Sequence, residues 1–273
     1  MEKLEIIKYQ EIIKTTLTPI YGEGEANSMA LYYTDALKAM NESITEGRFV
    51  EDMHELKSGV PVQYVVGLSF FYGYEFYLNN EVLIPRAETE ELVYWAVSDN
   101  KKHSDLSVLD IGSGSGCILI TSLLELNNCY GVAWDISSKA LECVQLNAKK
   151  HDVNVTAKHI DVLKHKWGNQ EEKFDVIFCN PPYILHDENK RMGENVLAHE
   201  PHIALFVEGN DPLVFYKTII DNISHITKAS GAIYFETSDL YHVELESYLI
   251  ERKLKHEFRK DMQGAWRMLK VRV

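Results

Sequence analysis

Apolar positions recur at helical spacing from the start of the chain to about residue 65, then give way to short β-branched runs. Leu4, Ile7, Glu11 and Lys14 mix with Ile6, Ile12 and Ile13 in an amphipathic opening segment. A second helix is predicted from Ala26 to Met40, where Met29, Ala30, Tyr33, Leu37 and Met40 fall near one face. Gly22 and Gly24 punctuate the join between the two. Gly59 to Gly67 changes character, being bounded by glycine and proline and rich in valine. Phe70 to Tyr77 and Glu81 to Ile84, separated by Asn79-Asn80, predict a β-hairpin.

From about residue 107 strands and helices alternate, the pattern of a mostly parallel sheet with helices on both faces. Seven strands are expected: 107–111, 129–134, 155–160, 175–179, 231–236, 254–259 and 266–271. Ahead of the fifth strand, Asp211 is placed to cap a helix and Pro212 suits its first position. Leu213, Tyr216, Ile220 and Ile223 form that helix's inward stripe. The expected organisation is a helical domain over 1–65, a hairpin and linker over 66–90, and an α/β domain over 91–273. There is no internal repeat and no low-complexity tract.

Composition narrows the class. A chain of 273 residues, 45% apolar and 25% charged, suits a soluble globular protein with one large domain or one large and one small. No apolar run approaches the length that spans a bilayer, and the acidic, mixed start Met1-Glu-Lys-Leu-Glu is unlike a secretory signal. Cys117, Cys129, Cys143 and Cys179 show no metal-ligand or framework spacing, so free thiols in a reducing cytoplasm are expected. Net charge is −13 and no basic run reaches five residues, which favours a protein or small-molecule substrate over nucleic acid. The densest basic spot, Lys149-Lys150-His151, reads as the solvated end of a helix.

Two segments carry the chemistry. Val108 to Gly116 reads as a strand running into a glycine turn, with a helix from Cys117 to Leu126 behind it. Glycine lets the backbone approach a ligand and leaves donors at a helix N-terminus. The spacing Gly112, Gly114, Gly116, with Ser113 and Ser115 between, is not that of a dinucleotide fold. With Asp110 before it, the turn looks like a site for the methionine end of S-adenosylmethionine; a tight strand–helix turn or another nucleotide site remains open. Asp135, at the end of the second strand, suits a ribose diol or a helix N-cap. Asp161-Val162, at the end of the third, suits an adenine amino group or is a plain strand end.

The second segment is the apolar run Val176 to Cys179, which ends in Asn180-Pro181-Pro182-Tyr183. Consecutive prolines remove two backbone donors and hold the chain extended, freeing carbonyls and the Asn180 amide to face a ligand. A primary amide nitrogen is barely nucleophilic because its lone pair is delocalised. Acceptors on both N–H bonds, here Asn180 and the Pro181 carbonyl, would aim it at a methyl donor. Tyr183 would pack on the planar group. The bland alternative is a turn that ends a strand. His199-Glu-Pro-His202 lacks the spacing for two ligands on one helix face, so no metal is expected. The aromatic cluster from Tyr64 to Tyr77 reads as hairpin core.

Taken together these motifs resemble the HemK-like (PrmC) N5-glutamine methyltransferases of peptide chain release factors, from about residue 56 to the end. The resemblance rests on Gly59-x-Pro61-x-Gln63-Tyr64-x-x-Gly67, Leu83-Ile-Pro-Arg86-x-Glu88-Thr-Glu90, the glycine turn, Asp135-Ile-Ser137, Asn147-Ala148 and Asn180 to Ile184. Glu200-Pro201-x-x-Ala204-Leu205 and Asp261-x-x-Gly264-x-x-Arg267 extend it. Ala87, Pro212, Trp134 and the glycine-free Glu236-Thr-Ser depart from the family's usual residues. The resemblance implies a Rossmann-like methyltransferase sheet, S-adenosylmethionine as cofactor, and methylation of the glutamine in the Gly-Gly-Gln loop of release factors. It implies Gly112 to Gly116 at the methionine part, Asp135 at the ribose, Asp161-Val162 at the adenine and Asn180 to Tyr183 at the glutamine amide. Arg86 and Glu88 would shape the substrate mouth, and residues 1–65 would help grip the release factor. The rivals are a ribosomal-protein glutamine methyltransferase, an amino-directed nucleic-acid methyltransferase and a cofactor-binding scaffold without catalysis.

Overall fold

The computed structural model describes residues 3–168, 171–191 and 193–273. Met1, Glu2 and the side chain of Leu4, which entered the reading of the N-terminus, lie outside the described residues. Four helices open the chain: α1 (Lys3–Tyr21), α2 (Glu23–Ala39), α3 (Glu46–Lys57) and the short α4 (Val62–Val66). Gly22 separates α1 from α2 at a φ of 84°, whereas Gly24 lies inside α2. Ile13, Leu17, Tyr33, Leu37 and Leu56 form a core of their own, continuous through Val62, Val65 and Val66. The Tyr33 hydroxyl is satisfied within it by donating to Asp52 Oδ2 at 2.5 Å.

A hairpin follows, with its turn where the sequence reading did not put it. Strands β1 (Leu68–Phe71) and β2 (Tyr74–Tyr77) pair antiparallel around Tyr72-Gly73. Both turn residues are left-handed, at φ 54° and 80°, as a tight two-residue hairpin requires. Tyrosine rarely takes that conformation, so the favoured Asn79-Asn80 masked the true turn. Asn79 instead forms a local turn in which its side chain accepts from Glu81 N at 2.9 Å. Glu81 to Ile84 is not a strand; Val82 and Ile84 are buried against Ala140 and Cys143.

The remaining chain alternates as expected. Helix α5 (Ala87–Asn100) leads to β3 (Ser107–Ile111), α6 (Cys117–Glu125), β4 (Tyr130–Asp135), α7 (Ser138–Lys150), β5 (Val155–His159) and β6 (Phe174–Cys179). Then come α8 (Glu194–His199), α9 (His202–Leu205), α10 (Val214–Asp221), α11 (Ile223–Ile226), β7 (Thr227–Glu236), α12 (His242–Glu251), β8 (Lys255–Lys260) and β9 (Trp266–Arg272). Among the described residues the sheet has seven strands in the order β5-β4-β3-β6-β7-β9-β8, and β9 alone runs opposite to the other six. Alternate residues of the central strands feed two cores. Val108, Ala133, Val176 and Phe178 pack with residues of α5 and α6, and Leu109, Val132, Ile177 and Phe235 with those of α10 to α12.

Three local expectations need correcting. Strand β7 begins at Thr227, four residues before the predicted start. The pairing with β6 is irregular there, and a Cβ on Gly231 would stand 2.7 Å from the Phe174 carbonyl, so only glycine fits the bulge. Helix α10 starts at Val214, not Pro212; Asp211 forms a turn ahead of it by accepting from Leu213 N at 3.1 Å. Lys149-Lys150-His151 is not simply solvated, because Lys150 pairs with Glu75 at 2.9 Å and His151 meets the Glu75 carbonyl at 2.8 Å.

That contact is one half of how the hairpin is fixed; the other is Asn147. Its Oδ1 accepts from Tyr77 N at 2.7 Å, and its Nδ2 donates to the carbonyls of Tyr77 (3.0 Å) and Ser115 (2.9 Å). One fully buried amide therefore ties β2 to the glycine turn. Asn147→Ala leaves those groups unpaired and is expected to cost about 2–4 kcal/mol of stability. Asn147→Asp should be no better, since a carboxylate would face two carbonyls. Chemical denaturation checks this, and unchanged midpoints would contradict the clamp.

Candidate active site

Parallel strands end together, so the residues that close β3, β4, β5, β6 and β7 meet along one edge. In open α/β sheets ligands bind outside such an edge, where the strand order reverses. Here that point lies between β3 and β6, whose last residues Ile111 and Cys179 are in register. The glycine turn and Asn180-Pro181-Pro182-Tyr183 thus leave the sheet side by side, one strand spacing of ~4.8 Å apart.

The glycine turn is built on β4. Gly112 N and Ser113 N both donate to the Trp134 carbonyl, at 2.8 and 3.2 Å. Gly112, Gly114 and Gly116 are all left-handed, but they do different work. A Cβ on Gly112 or Gly114 would meet open space, which leaves the backbone approachable by a ligand. On Gly116 it would stand 3.1–3.4 Å from Ile120 and Val144, so this glycine serves the contact of α6 with α7. Ser113 and Ser115 are buried, Ser113 Oγ facing the Trp134 carbonyl at 3.5 Å.

Two carboxylates stand beneath the turn. Asp135 Oδ2 accepts from Gly114 N at 2.9 Å and Oδ1 from Ser137 N at 2.8 Å. The N-cap of α7 is Ser137, which accepts from Ala140 N, so Asp135 does not cap that helix. Each Asp135 oxygen keeps acceptor capacity for a second donor. Burial raises its carboxyl pKa, opposed by those backbone donors. Asp110 is fully buried and neither oxygen has a hydrogen-bond partner among the described residues. Burial, then the nearby Asp135, push its carboxyl up to about 8, against a weak pull from the Leu119 backbone N–H. An orphaned carboxyl beneath an open glycine turn is suited to a cationic group.

At the third strand end the arrangement is more self-contained. Asp161 Oδ1 accepts from Leu163 N at 3.0 Å and Oδ2 pairs with Lys164 at 2.9 Å. Burial works against it, yet Lys164 and its own turn hold the carboxyl below its ordinary value. Val162 is buried, whereas Ile136 and Leu163, which follow the strand ends, are exposed apolar side chains that the sequence reading did not single out. Trp134 packs beneath, with ring centroids 5.3 Å from His165 and 6.0 Å from Trp167.

On the other side of the switch point lies a pocket of about 210 Å³. Asn180, Pro181, Pro182 and Tyr183 line it together with Arg86 and Glu236. The Pro181 carbonyl accepts no hydrogen bond among the described residues. Tyr183 is pushed up to about 12 by burial and by Glu236, against Arg267. Arg86 pairs with the buried Glu200 at 2.6 Å, and the other Glu200 oxygen accepts from Ile84 N at 3.4 Å, so the linker is pinned to the loop before α9. Glu88 does not line the pocket and instead accepts from Gln263 at 3.2 Å. Its neighbour Thr89, given no role from sequence, reaches both Glu236 and Asn180. Among the described residues no group of three or more His, Cys, Asp or Glu could hold a metal ion.

The Asp110 carboxyl makes the fold pH-sensitive in a defined direction. Its folded-state pKa of about 8 lies above the ordinary 3.8, so the stability its neutral form contributes is complete below about pH 4 and lost as pH rises towards 8. Asp110→Asn cannot ionise and should gain stability relative to the parent between those limits. Denaturation at pH 5 and pH 8 measures this; an identical pH dependence in both proteins would contradict the orphaned carboxyl.

Comparison with known proteins agrees with this geometry. Residues 96–220 match the family described as the methyltransferase small domain. A release factor glutamine methyltransferase of Flavobacterium psychrophilum is 42% identical over 221 residues, covering 80% of this chain and 77% of its own. One from Bacillus cereus is 39% identical over 211 residues, covering 74% and 73%. Among solved structures, the human Mettl16 catalytic domain, in a complex with the MAT2A 3′UTR hairpin 1, superposes with a TM-score of 0.55 at 16% identity, covering 90% of this chain and 79% of that one. Such distant likeness speaks for the fold alone: a Rossmann-like methyltransferase sheet. The family and fold imply S-adenosylmethionine as methyl donor in general. At these identities and coverages, the chain belongs to the release factor glutamine methyltransferase family.

Proposed function

We propose that this chain transfers a methyl group from S-adenosylmethionine to the side-chain amide nitrogen of the glutamine in the Gly-Gly-Gln loop of peptide chain release factors. The observation that carries this is the register of β3 and β6, which sets an approachable glycine turn beside a pocket lined by Asn180 to Tyr183. Family membership supports the protein substrate, and the acidic balance of −13 fits it better than a polyanion. No helix among the described residues is long and apolar enough to cross a membrane. A cytoplasmic location is the reading that suits a substrate of the translation machinery. Residues 1–65 are read as the part that grips the release factor, 66–90 as hairpin and linker, and 91–273 as the methyltransferase domain.

When bound, S-adenosylmethionine supplies an electrophilic methyl group on a sulfonium centre. The residues present fit it: Gly112 and Gly114 leave room for backbone approach, and Asp110 has acceptors without partners among the described residues. Gly112 to Gly116 would hold the methionine part, with Gly116 acting through the packing of the turn. Asp135 would accept from the ribose hydroxyls, and Asp161-Val162 would border the adenine, with Asp161 already engaged by Lys164. In the adjoining pocket the amide nitrogen must be aimed and its N–H bonds held. Asn180 Oδ1 and the Pro181 carbonyl would accept from the two N–H bonds, favouring the charge that develops as nitrogen attacks. Tyr183 would pack on the amide plane, with Pro182 keeping the segment extended. Arg86 borders the mouth.

Asn180→Ala should lower the single-turnover rate of methyl transfer to a release factor by about two to three orders of magnitude, as losing one preorganised partner does. Cofactor affinity should fall much less. Asp135→Ala should do the reverse, costing roughly 2–4 kcal/mol of cofactor binding. Rapid-quench kinetics with mass spectrometry of the loop peptide, and calorimetry for the cofactor, separate the two. Transfer by Asn180→Ala at the parent rate would overturn the assignment of the acceptor site.

A further inference from the structure

An asparagine side chain works as an acceptor only if its oxygen, and not its nitrogen, faces the substrate. The two ends differ little in shape, so something must choose between them. Among the described residues the Asn180 side chain makes one hydrogen bond, from Nδ2 to Thr89 Oγ1 at 3.5 Å. Thr89 is buried, in the first turn of α5, and its hydroxyl donates to Glu236 Oε2 at 2.5 Å. Glu236 is the last residue of β7, is 4% exposed, and borders the same pocket as Asn180.

A hydroxyl has one hydrogen. An ionised carboxylate can only accept, so Glu236 takes that hydrogen and leaves Thr89 Oγ1 with lone pairs alone. The end of Asn180 facing Thr89 must then be the donor, its NH2 group. We infer that Glu236 and Thr89 are positioning residues that set the polarity of Asn180, a series of carboxylate, hydroxyl and amide that turns the amide oxygen towards the substrate N–H. This rests on the reading of Asn180 as the acceptor for the glutamine amide.

The surroundings of Glu236 make the series pH-dependent. Burial comes first and raises its pKa above the ordinary 4.5, with Glu88 adding to this; the Thr89 hydroxyl, Arg267 and Arg86 hold it down. Tyr183 stands nearby, and the Tyr216 hydroxyl donates to the Glu236 backbone carbonyl at 2.9 Å. Protonated Glu236 can donate to Thr89, whose hydrogen is then free to point at Asn180 and reverse its preferred orientation. Methyl transfer should therefore weaken as pH falls through the Glu236 pKa.

The test is single-turnover methyl transfer to a purified release factor at saturating cofactor. Thr89→Val, which keeps the shape but loses the hydroxyl, should slow transfer roughly tenfold to a hundredfold. Cofactor affinity should hold, the acidic limb due to Glu236 should vanish, and Thr89→Ser should restore most of the rate. The double variant Thr89→Val, Asn180→Ala should be no slower than Asn180→Ala. If Thr89→Val does not fold, the isosteric Glu236→Gln answers the same question, since its amide can show either end to Thr89. Parent rates in Thr89→Val or Glu236→Gln, or losses that multiply with Asn180→Ala, would overturn the inference. A parent rate in Asn180→Ala would instead overturn the acceptor assignment on which it rests.

Discussion

The edge of a parallel sheet presents a particular problem. Its strands are buried on both faces, yet each must end, and the last residues carry polar groups that no further strand can satisfy. Asp110, Asp135, Asn180 and Glu236 all stand at or just past the ends of neighbouring strands β3, β4, β6 and β7. The first, second and fourth of these are buried. Each finds a different solution. Asp135 takes two backbone donors, Glu236 takes a hydroxyl, Asn180 gives its nitrogen to that hydroxyl, and Asp110 has no hydrogen-bond partner within normal distance among the described residues. What remains unsatisfied along this edge is what a ligand can use.

Much of the rest of the chain keeps that edge rigid. Asn147 joins the hairpin to the glycine turn, and Arg86 with Glu200 joins the linker to the loop before α9. The first is one side chain and the second a pair, and each bridges segments far apart in sequence, so losing a partner would strand a buried polar group. The N-terminal part of α5 is fixed from a third direction through Gln263 and Met262 of the β8–β9 turn, which meet Glu88 and Glu91. Segments on three sides thus bear on the few residues that would face a substrate.

The alternating region was the most legible part of the sequence. Buried parallel strands are near-continuous apolar runs, and glycine or proline marks where they stop, so Ser107–Ile111 was read to the residue. Where backbone geometry overrode residue preference, the reading slipped. Tyr72 takes a left-handed turn that a tyrosine does not advertise, and Thr227 to Ser230 join β7 across a bulge that depends on Gly231. At the candidate site the sequence pointed to strand-end motifs but not to what supports them. Thr89 and Glu236 are separated by 147 positions, and only the packing of α5 against β7 brings a hydroxyl 2.5 Å from that carboxylate. No spacing rule reaches that far.

The central claim is that the pocket beside the glycine turn methylates a glutamine amide in a release factor. The most direct measurement offers the protein labelled S-adenosylmethionine together with purified release factors, ribosomes and DNA in separate reactions, and locates the label by mass spectrometry. The account predicts one methyl group on the glutamine of the Gly-Gly-Gln peptide, and none on nucleic acid. Label on a ribosomal protein or on DNA, with the release factors unmodified, would contradict it.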